Sequence, residues 1–289
     1  MNKYSSVIIT ILVDNNTYID QYLLGEPGFS ALVEIDGLSI LFDAGYSDVF
    51  LHNAEKMKID LTTIDGIALS HGHLDHTWGL EPLMRMFTET EFFTGSAAKK
   101  QRPFLIAHPL ALTEKHGTPI PHQFGNIIAH ESLETMFDLR LSRKPRQISE
   151  HMTFLGEIPR VTPFEPAIPL GMSANQPDYL LDDSALAIRT AEGLVILTGC
   201  SHAGIGNIIT YAQQVMNEQR VVDIIGGLHL LNPAPEKMQG TIDLLKGLRL
   251  HALHACHCTD LSAKLSLGAA LPLKEVGSGL RLKFELSDA

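Results

Sequence analysis

The 289-residue sequence predicts an α/β protein organised as a single domain over residues 1–289. Three observations predict it. Strand-like apolar runs alternate with stretches of helical spacing along the whole chain. Apolar residues make up 45% of the sequence, enough for one large core or two modest ones. The densest group of metal-ligand side chains directly follows one of the apolar runs, which is where a chain builds a site and not where it builds a core.

The elements follow in order. The stretch Met1-Asn-Lys-Tyr-Ser-Ser-Val-Ile-Ile-Thr-Ile-Leu-Val-Asp14 has one Lys and a short apolar run, too brief for a membrane span and closing on Asp14 without a small-residue cleavage site. It reads as the first strand of a cytoplasmic protein. Ser30–Ile35 and Leu38–Phe42 flank Asp36-Gly37, a hairpin signal. A helix is expected from Asp48 to Lys58, a strand over Asp65–Leu69, and a helix from Gly79 to Phe87. Phe104–Ala107 is a short strand stopped by His108-Pro109. Residues 110–160 lack a regular period, and the stretch at about 88–160 is expected to elaborate a site without forming a second domain. Ala185–Arg189 and Leu194–Leu197 form a second hairpin across Ala191-Glu-Gly193. A helix near 204–217, a strand at Val221–Ile225, a helix near 236–247 and a strand at Leu250–Ala255 come next. Leu280–Leu286 alternates as a half-exposed strand does.

The net charge of −11 argues against nucleic acid and anionic membrane as partners, because phosphate backbones and anionic lipids call for a basic surface. It leaves an anionic small-molecule substrate open, since bound metal ions bring their own positive charge. Cys200, Cys256 and Cys258 are an odd, sparse set that suits a reducing compartment better than a disulfide framework.

The functional signal is Ser70-His-Gly-His-Leu-Asp-His76. His71 and His73, two apart at a strand end, can face one point; Asp75 and His76, one turn later, can face a second. Imidazole and carboxylate together suit Zn²⁺ or a similar divalent ion, and two ions at about 3.5–4 Å would fit a shared site. More ligands must come from elsewhere. The segment Val195-Ile-Leu-Thr-Gly-Cys-Ser-His202 and the segment Leu253-His-Ala-Cys-His257 both end strands. His202 is the favoured third ligand beside His71 and His73, with His108, His122, His130 and His151 as alternatives. His257 is favoured over His251 and His254 for the second ion. Cys200 reads equally as a thiolate bordering the ions and as a small buried residue; Cys256 and Cys258 read as packing.

These residues resemble the metallo-β-lactamase superfamily over nearly the whole chain. The resemblance rests on the His-x-His-x-Asp-His turn, His71 to His76, and on the preceding Asp43-Ala-Gly45. It implies a four-layer αββα sandwich with two divalent ions at one edge, Zn²⁺ first and Mn²⁺, Fe²⁺ or Mg²⁺ as alternatives. Gly156-Glu-Ile-Pro-Arg160, Asp182-Asp-Ser-Ala-Leu186, Thr198-Gly-Cys-Ser-His-Ala-Gly204, Gly226-Gly-Leu-His-Leu230 and His257-Cys-Thr259 narrow it to the dihydropterin synthase-like group. There are departures. Trp78-Gly79 stands where many members have Gly-Gly, and Thr198-Gly-Cys200 replaces the usual Thr-Gly-Asp. His73 is not Glu, unlike the flavin-partnered oxygen reductases.

The resemblance implies a metal-dependent hydrolase or dihydropterin-type transferase. Its substrate would be a phosphorylated or ester-type small molecule, attacked by metal-activated hydroxide or losing a metal-held diphosphate. Asp75 is then catalytic as well as a ligand. Arg160 is a candidate phosphate clamp or a solvated loop charge. His229 is a candidate proton donor and substrate contact or a hydrogen-bonded structural imidazole. The rival class is a metal-loaded ligand-binding or sensor protein without turnover.

Overall fold

The computed structural model describes residues 5–95, 101–120 and 122–287. In the first half of the chain the strands are β1 (Ser6–Val13), β2 (Ser30–Ile35), β3 (Leu38–Phe42), β4 (Gly66–Ala68), β5 (Phe104–Ala107), β6 (Lys115–His116) and β7 (Asp138–Leu141). Its helices are α1 (Val49–Lys56), the single turn α2 (Leu74–Thr77), α3 (Leu80–Thr94) and α4 (His130–Met136). The second half holds β8 (Arg146–Gln147), β9 (Met152–Phe154), β10 (Met172–Ser173), β11 (Gln176–Pro177), β12 (Ala185–Thr190) and β13 (Gly193–Thr198). It continues through α5 (Ile205–Met216), β14 (Val221–Gly227), α6 (Pro235–Leu248), β15 (Ala252–Cys256), α7 (Leu261–Gly268) and β16 (Arg281–Glu285).

Two mixed sheets carry the fold, in the orders β16-β1-β2-β3-β4-β5-β7 and β15-β14-β13-β12-β9-β8. Each sheet is antiparallel on one side and parallel on the other. In the first, β3, β4, β5 and β7 run parallel; in the second, β13, β14 and β15 do. The parallel strands of the two sheets deliver their carboxyl ends to one edge, where loops of α/β proteins carry function.

Burial shows the layering. One cluster joins the inner faces of the sheets, with Ile9, Ile11, Val33 and Phe42 against Phe154, Leu186, Ile188 and Leu197. A second packs α5, α6 and α7 on the outer face of the second sheet through Ile205, Ile209, Leu245 and Leu267. A third packs α1, α3 and α4 on the outer face of the first through Phe50, Leu83, Phe87 and Leu133. The architecture is therefore an αββα sandwich. Truncating a fully buried anchor between the sheets, such as Phe154, would cost on the order of 3–5 kcal/mol.

The hairpins form where expected. Asp36 and Gly37 both have positive φ, 51° and 79°, the backbone a two-residue type I′ turn needs. β13 is buried along its whole length, as a central strand covered on both faces must be. α3, in contrast, extends to Thr94 and not only to Phe87. Its last turns, Thr88-Glu-Thr-Glu-Phe-Phe-Thr94, have no buried stripe and so show no helical period in sequence. They are held by the backbone ladder, by Thr hydroxyls returning to Met84, Met86 and Thr90 carbonyls, and by the left-handed Gly95. The stretch 88–160 supplies β5 and β7 to the first sheet and β8 and β9 to the second; residues 96–100 and 121 lie outside the described set. Among the described residues no helix is long and apolar enough to cross a membrane.

Candidate metal centre

β4 ends at Ala68, and the chain turns through Ser70–His73 into α2. This loop places His71 and His73 on one side and Asp75 and His76 on the other. Gly72 between them is required by close packing, since a Cβ there would lie 2.4 Å from the Ala111 carbonyl oxygen. From the second sheet, the loop after β13 brings Cys200 and His202, and the loop after β15 brings His257.

The two sides form distinct half-sites. In the first, the ring centroids of His71, His73 and His202 are 4.5, 4.7 and 4.7 Å apart, and the Nε2 atoms of His71 and His202 lie 3.2 Å apart. In the second, Asp75 Oδ2 lies 3.3 Å from His257 Nε2 and 3.7 Å from His76 Nε2, and Cys200 Sγ lies 3.3 Å from His76 Nε2. The donor atoms of His71, Cys200 and His202, and those of His76, Cys200 and His257, form two groups each compact enough to surround an ion. Cys200 belongs to both.

Electrostatics separate the halves. Burial, joined by repulsion from neighbouring imidazoles, holds His71 and His202 well below the ordinary histidine range. Burial likewise brings His73 down to about 4. His76 goes the other way: burial opposes its charge, but Asp75 and Asp43 outweigh it and raise the group to about 9. Asp75 is held well below the usual carboxylate range, burial being overcome by His76, His257 and His73.

Partners behind the cluster set the tautomers. Asp43 Oδ2 accepts from Ser70 Oγ at 2.7 Å and from His76 Nδ1 at 2.7 Å. With its one proton on Asp43, the Ser70 hydroxyl accepts from His71 Nδ1 at 2.9 Å. His257 Nδ1 donates to Asn15 Oδ1 at 2.9 Å, and its backbone N–H donates to Asp14 Oδ1 at 2.9 Å. His71 and His257 therefore keep bare Nε2 atoms directed at the cluster. This is how histidine ligands are oriented in metal sites generally. Asp14 and Asn15 belong to no motif, and their only signal in sequence is a polar pair closing an apolar strand.

A further support comes from Asp182-Asp183-Ser184. Asp182 accepts from the Gly72 amide at 2.8 Å, Asp183 accepts from the Ala203 amide at 2.8 Å, and the Ser184 amide donates to the Ser70 carbonyl at 2.8 Å. One loop thus pins the backbone beside all three imidazoles of the first half. Lys115, fully buried, ties Asp182 to Asp178 at 3.0 and 2.6 Å. Burial pushes Asp183 up to about 7.

The remaining candidates are placed as follows. The His229 ring lies 4.2 Å from that of His202. Arg160 Nη2 donates to the carbonyls of Tyr179 and Leu180, at 2.5 and 2.8 Å. His108 bonds Glu157, His122 the Ile120 carbonyl, His130 faces Glu134, and His151 bonds Asp36. His254 pairs with Asp223 between β15 and β14, and His251 contacts Arg220. Cys256 is buried, and Cys258 Sγ meets the Cys200 carbonyl and the His229 amide.

The cluster fits divalent ions on its own chemistry. His73 Nε2, His202 Nδ1 and His257 Nε2 are buried with no hydrogen-bond partner. Buried polar atoms without a partner are costly. An ion in the first half would relieve His73 Nε2 and an ion in the second would relieve His257 Nε2, while His202 meets His71 through Nε2, so its unpartnered Nδ1 is not the ligand atom. Asp43, Ser201, His229 and His257 at the site also have positive φ, a backbone that non-glycine residues seldom adopt.

Comparison with known proteins adds the following. Residues 23–92 match the family model described as metallo-beta-lactamase superfamily. A Methanocaldococcus jannaschii protein named 7,8-dihydropterin-6-methyl-4-(β-D-ribofuranosyl)-aminobenzene-5'-phosphate synthase is 28% identical over 280 residues, 91% of each chain. An uncharacterized protein of the same organism is 30% identical over 264 residues, 90% of this chain and 93% of its own. The crystal structure of Tm1679, a metal-dependent hydrolase of the β-lactamase superfamily, superposes with a TM-score of 0.78 at 28% identity, covering 98% of this chain and 100% of that one.

Proposed function

The chain belongs to the metallo-β-lactamase superfamily, and on that premise we propose that it is a two-metal enzyme acting on a phosphorylated or ester-type small molecule. In this reading His71, His73 and His202 hold one ion, and Asp75, His76 and His257 hold the other, with Cys200 between them. Zn²⁺ best suits imidazoles joined by one carboxylate and one thiol; Mn²⁺, Fe²⁺ and Mg²⁺ are the alternatives. The observation that carries the reading is the convergence of ligand atoms from both sheets, with His73 Nε2 and His257 Nε2 buried and without a hydrogen bond. The homologous protein named as a 5'-phosphate synthase supports a phosphorylated, pterin-like substrate. Three free cysteines suit a reducing, cytoplasmic setting.

Ions bound here would act as Lewis acids and bring the pKa of water toward about 7. The protein's residues do the rest. Asp43 keeps protons on the Nδ1 atoms of His76 and, through Ser70, of His71, and Asn15 does so for His257. Asp75 orients the attacking group from the second half. His229, against His202 at the rim, contacts the substrate and returns a proton to the leaving oxygen. Arg160 supports the Tyr179–Leu180 turn and is the candidate clamp for a substrate phosphate.

The test is metal analysis by mass spectrometry on metal-replete protein, paired with a turnover screen over phosphodiesters, thioesters, lactones and pterin diphosphates. Close to two ions per chain is expected, with turnover in at least one class. Saturation at one ion overturns the two-metal reading. Two ions without any turnover would leave a metal-loaded binding protein in its place.

A further inference from the structure

We infer that Lys237 and His229 form a subsite for a phosphate monoester beside the candidate metal centre. The inference rests on the two-metal reading above and sharpens its substrate class.

Lys237 lies in the first turn of α6, half-buried, with Nζ donating to the His229 carbonyl at 3.2 Å. An ammonium has three donors, and a half-buried lysine ordinarily ends in an ion pair. Among the described residues no carboxylate pairs with this one. Two groups lie in its electrostatic reach: Glu165, which accepts from the Gly206 and Asn207 amides at the start of α5, and Cys258, whose Sγ accepts from the His229 amide. The other lysine beside the site, Lys115, is neutralised by Asp178 and Asp182. Lys237 therefore holds positive charge and free donors next to a loop that carries an imidazole of the cluster.

That loop is fixed with care. His229 has φ 47°, a conformation a non-glycine residue seldom holds. Its N–H donates to Cys258 Sγ at 3.3 Å and its carbonyl accepts from Lys237. Both backbone groups are anchored, while Nδ1 of the ring is buried without a partner. An ammonium bonded to the backbone of the residue that carries the imidazole matches a dianion with several acceptor oxygens. A neutral ester would leave the ammonium's charge unused. Lysine suits this role as a compact point charge for phosphate.

The bland alternative is that Lys237 merely supports the loop. Lys237→Gln discriminates, because its amide can still donate to the His229 carbonyl but carries no charge. Binding of phenyl phosphate and of inorganic phosphate to metal-loaded protein would be measured by calorimetry, with metal content measured alongside. Lys237→Gln should keep its metal and weaken phosphate binding by about tenfold or more, while Lys237→Arg stays within about threefold of wild type. Unchanged affinity in Lys237→Gln overturns the subsite, as does loss of metal in that variant, or Lys237→Arg binding no better than Lys237→Gln. Failure of the metal reading shows separately, as wild-type protein that takes up no ion. In that protein, phosphate binding lost in Lys237→Gln still supports the subsite, and unchanged binding overturns it.

Discussion

The two half-sites are built from opposite electrostatics. His71, His73 and His202 meet as neutral rings, each driven away from protonation by burial, joined for His71 and His202 by repulsion from neighbouring imidazoles. Across the Asp75 turn, His76 is a buried cation in the metal-free protein, trapped between Asp75 and Asp43. The first half is thus a set of bare lone pairs waiting for a positive charge. The second already holds one, a proton, that an ion must displace. The carboxylate of Asp75 belongs in the second half for that reason, as the anion that makes the exchange favourable. The difference teaches that one short sequence motif can serve two ions with separate affinities, kept apart by what lies behind each ring.

The largest way to break this comparison is at Asp75, which is the anionic ligand of the second half. Asp75→Asn should keep the fold and one ion, and reduce turnover by about two orders of magnitude or more. Full turnover at unchanged metal content would remove Asp75 from the mechanism and merge the two halves into one.

The first half is tested through His202. It sits between β13 and α5, two packed elements, whereas His122 lies on a loop against the Ile120 carbonyl and His130 opens α4 at the surface, facing Glu134. His202→Ala should lower bound metal by close to one ion per chain and lower activity with it. His151→Ala and His122→Ala should leave metal content intact, because His151 is bonded to Asp36 and His122 to the Ile120 carbonyl. Metal retained in His202→Ala and lost in His122→Ala would reassign the half-site.

A pH series sharpens the contrast. The pKa of His76 is raised from 6.5 to about 9 in the metal-free protein, so its stabilising contribution is complete below 6.5 and is lost as pH rises toward 9. His73 is lowered to about 4, so stability is instead lost as pH falls from 6.5 toward 4. Metal-free protein should therefore melt at progressively lower temperature between pH 6.5 and 9, and metal-loaded protein should not. Over the same window the affinity for the second ion should rise by up to about tenfold per pH unit, one proton being displaced, while the first ion's affinity stays nearly flat. Equal slopes for both ions would abolish the distinction.

Much of this was legible in the sequence, and what escaped shares a cause. Both hairpins announce themselves through local turn residues, and the His71–His76 cluster is dense enough to be read without a fold. Cys200, His202 and His257 are suggested by strand ends. The residues that orient the rings were not visible as such, because their partners lie far along the chain: Asp182 is 110 positions from Gly72, and Asp14 is 243 from His257. Asp43 was noticed only as part of an Asp-x-Gly turn; that its carboxylate serves a ring in each half depends on Ser70 lying between them. The last turns of α3 escaped for a local reason, since a helix with no buried face leaves no period.

The smallest expected effect tests whether such distant partners matter equally on both sides of the second half. His76 and His257 each donate Nδ1–H to a carbonyl-type oxygen behind them, Asp43 in one case and Asn15 in the other. Asp43 is fully buried and charged, so its bond has no competitor. Asn15 is neutral and exposed, and water can take its place when it is removed. Asn15→Ala should therefore weaken only the second ion, by less than about tenfold, against the 10- to 100-fold typical of losing a well-buried orienting partner. The backbone bond from His257 to Asp14 would persist and keep the loop in place. Metal titration of Asn15→Ala beside Asp43→Asn reads this directly: the Asp43 variant should lose more affinity than the Asn15 variant. An Asn15→Ala loss as large as that of Asp43→Asn would mean that the His257 ring is oriented by this one exposed amide, and that burial behind the rings is not what sets the strength of the second half.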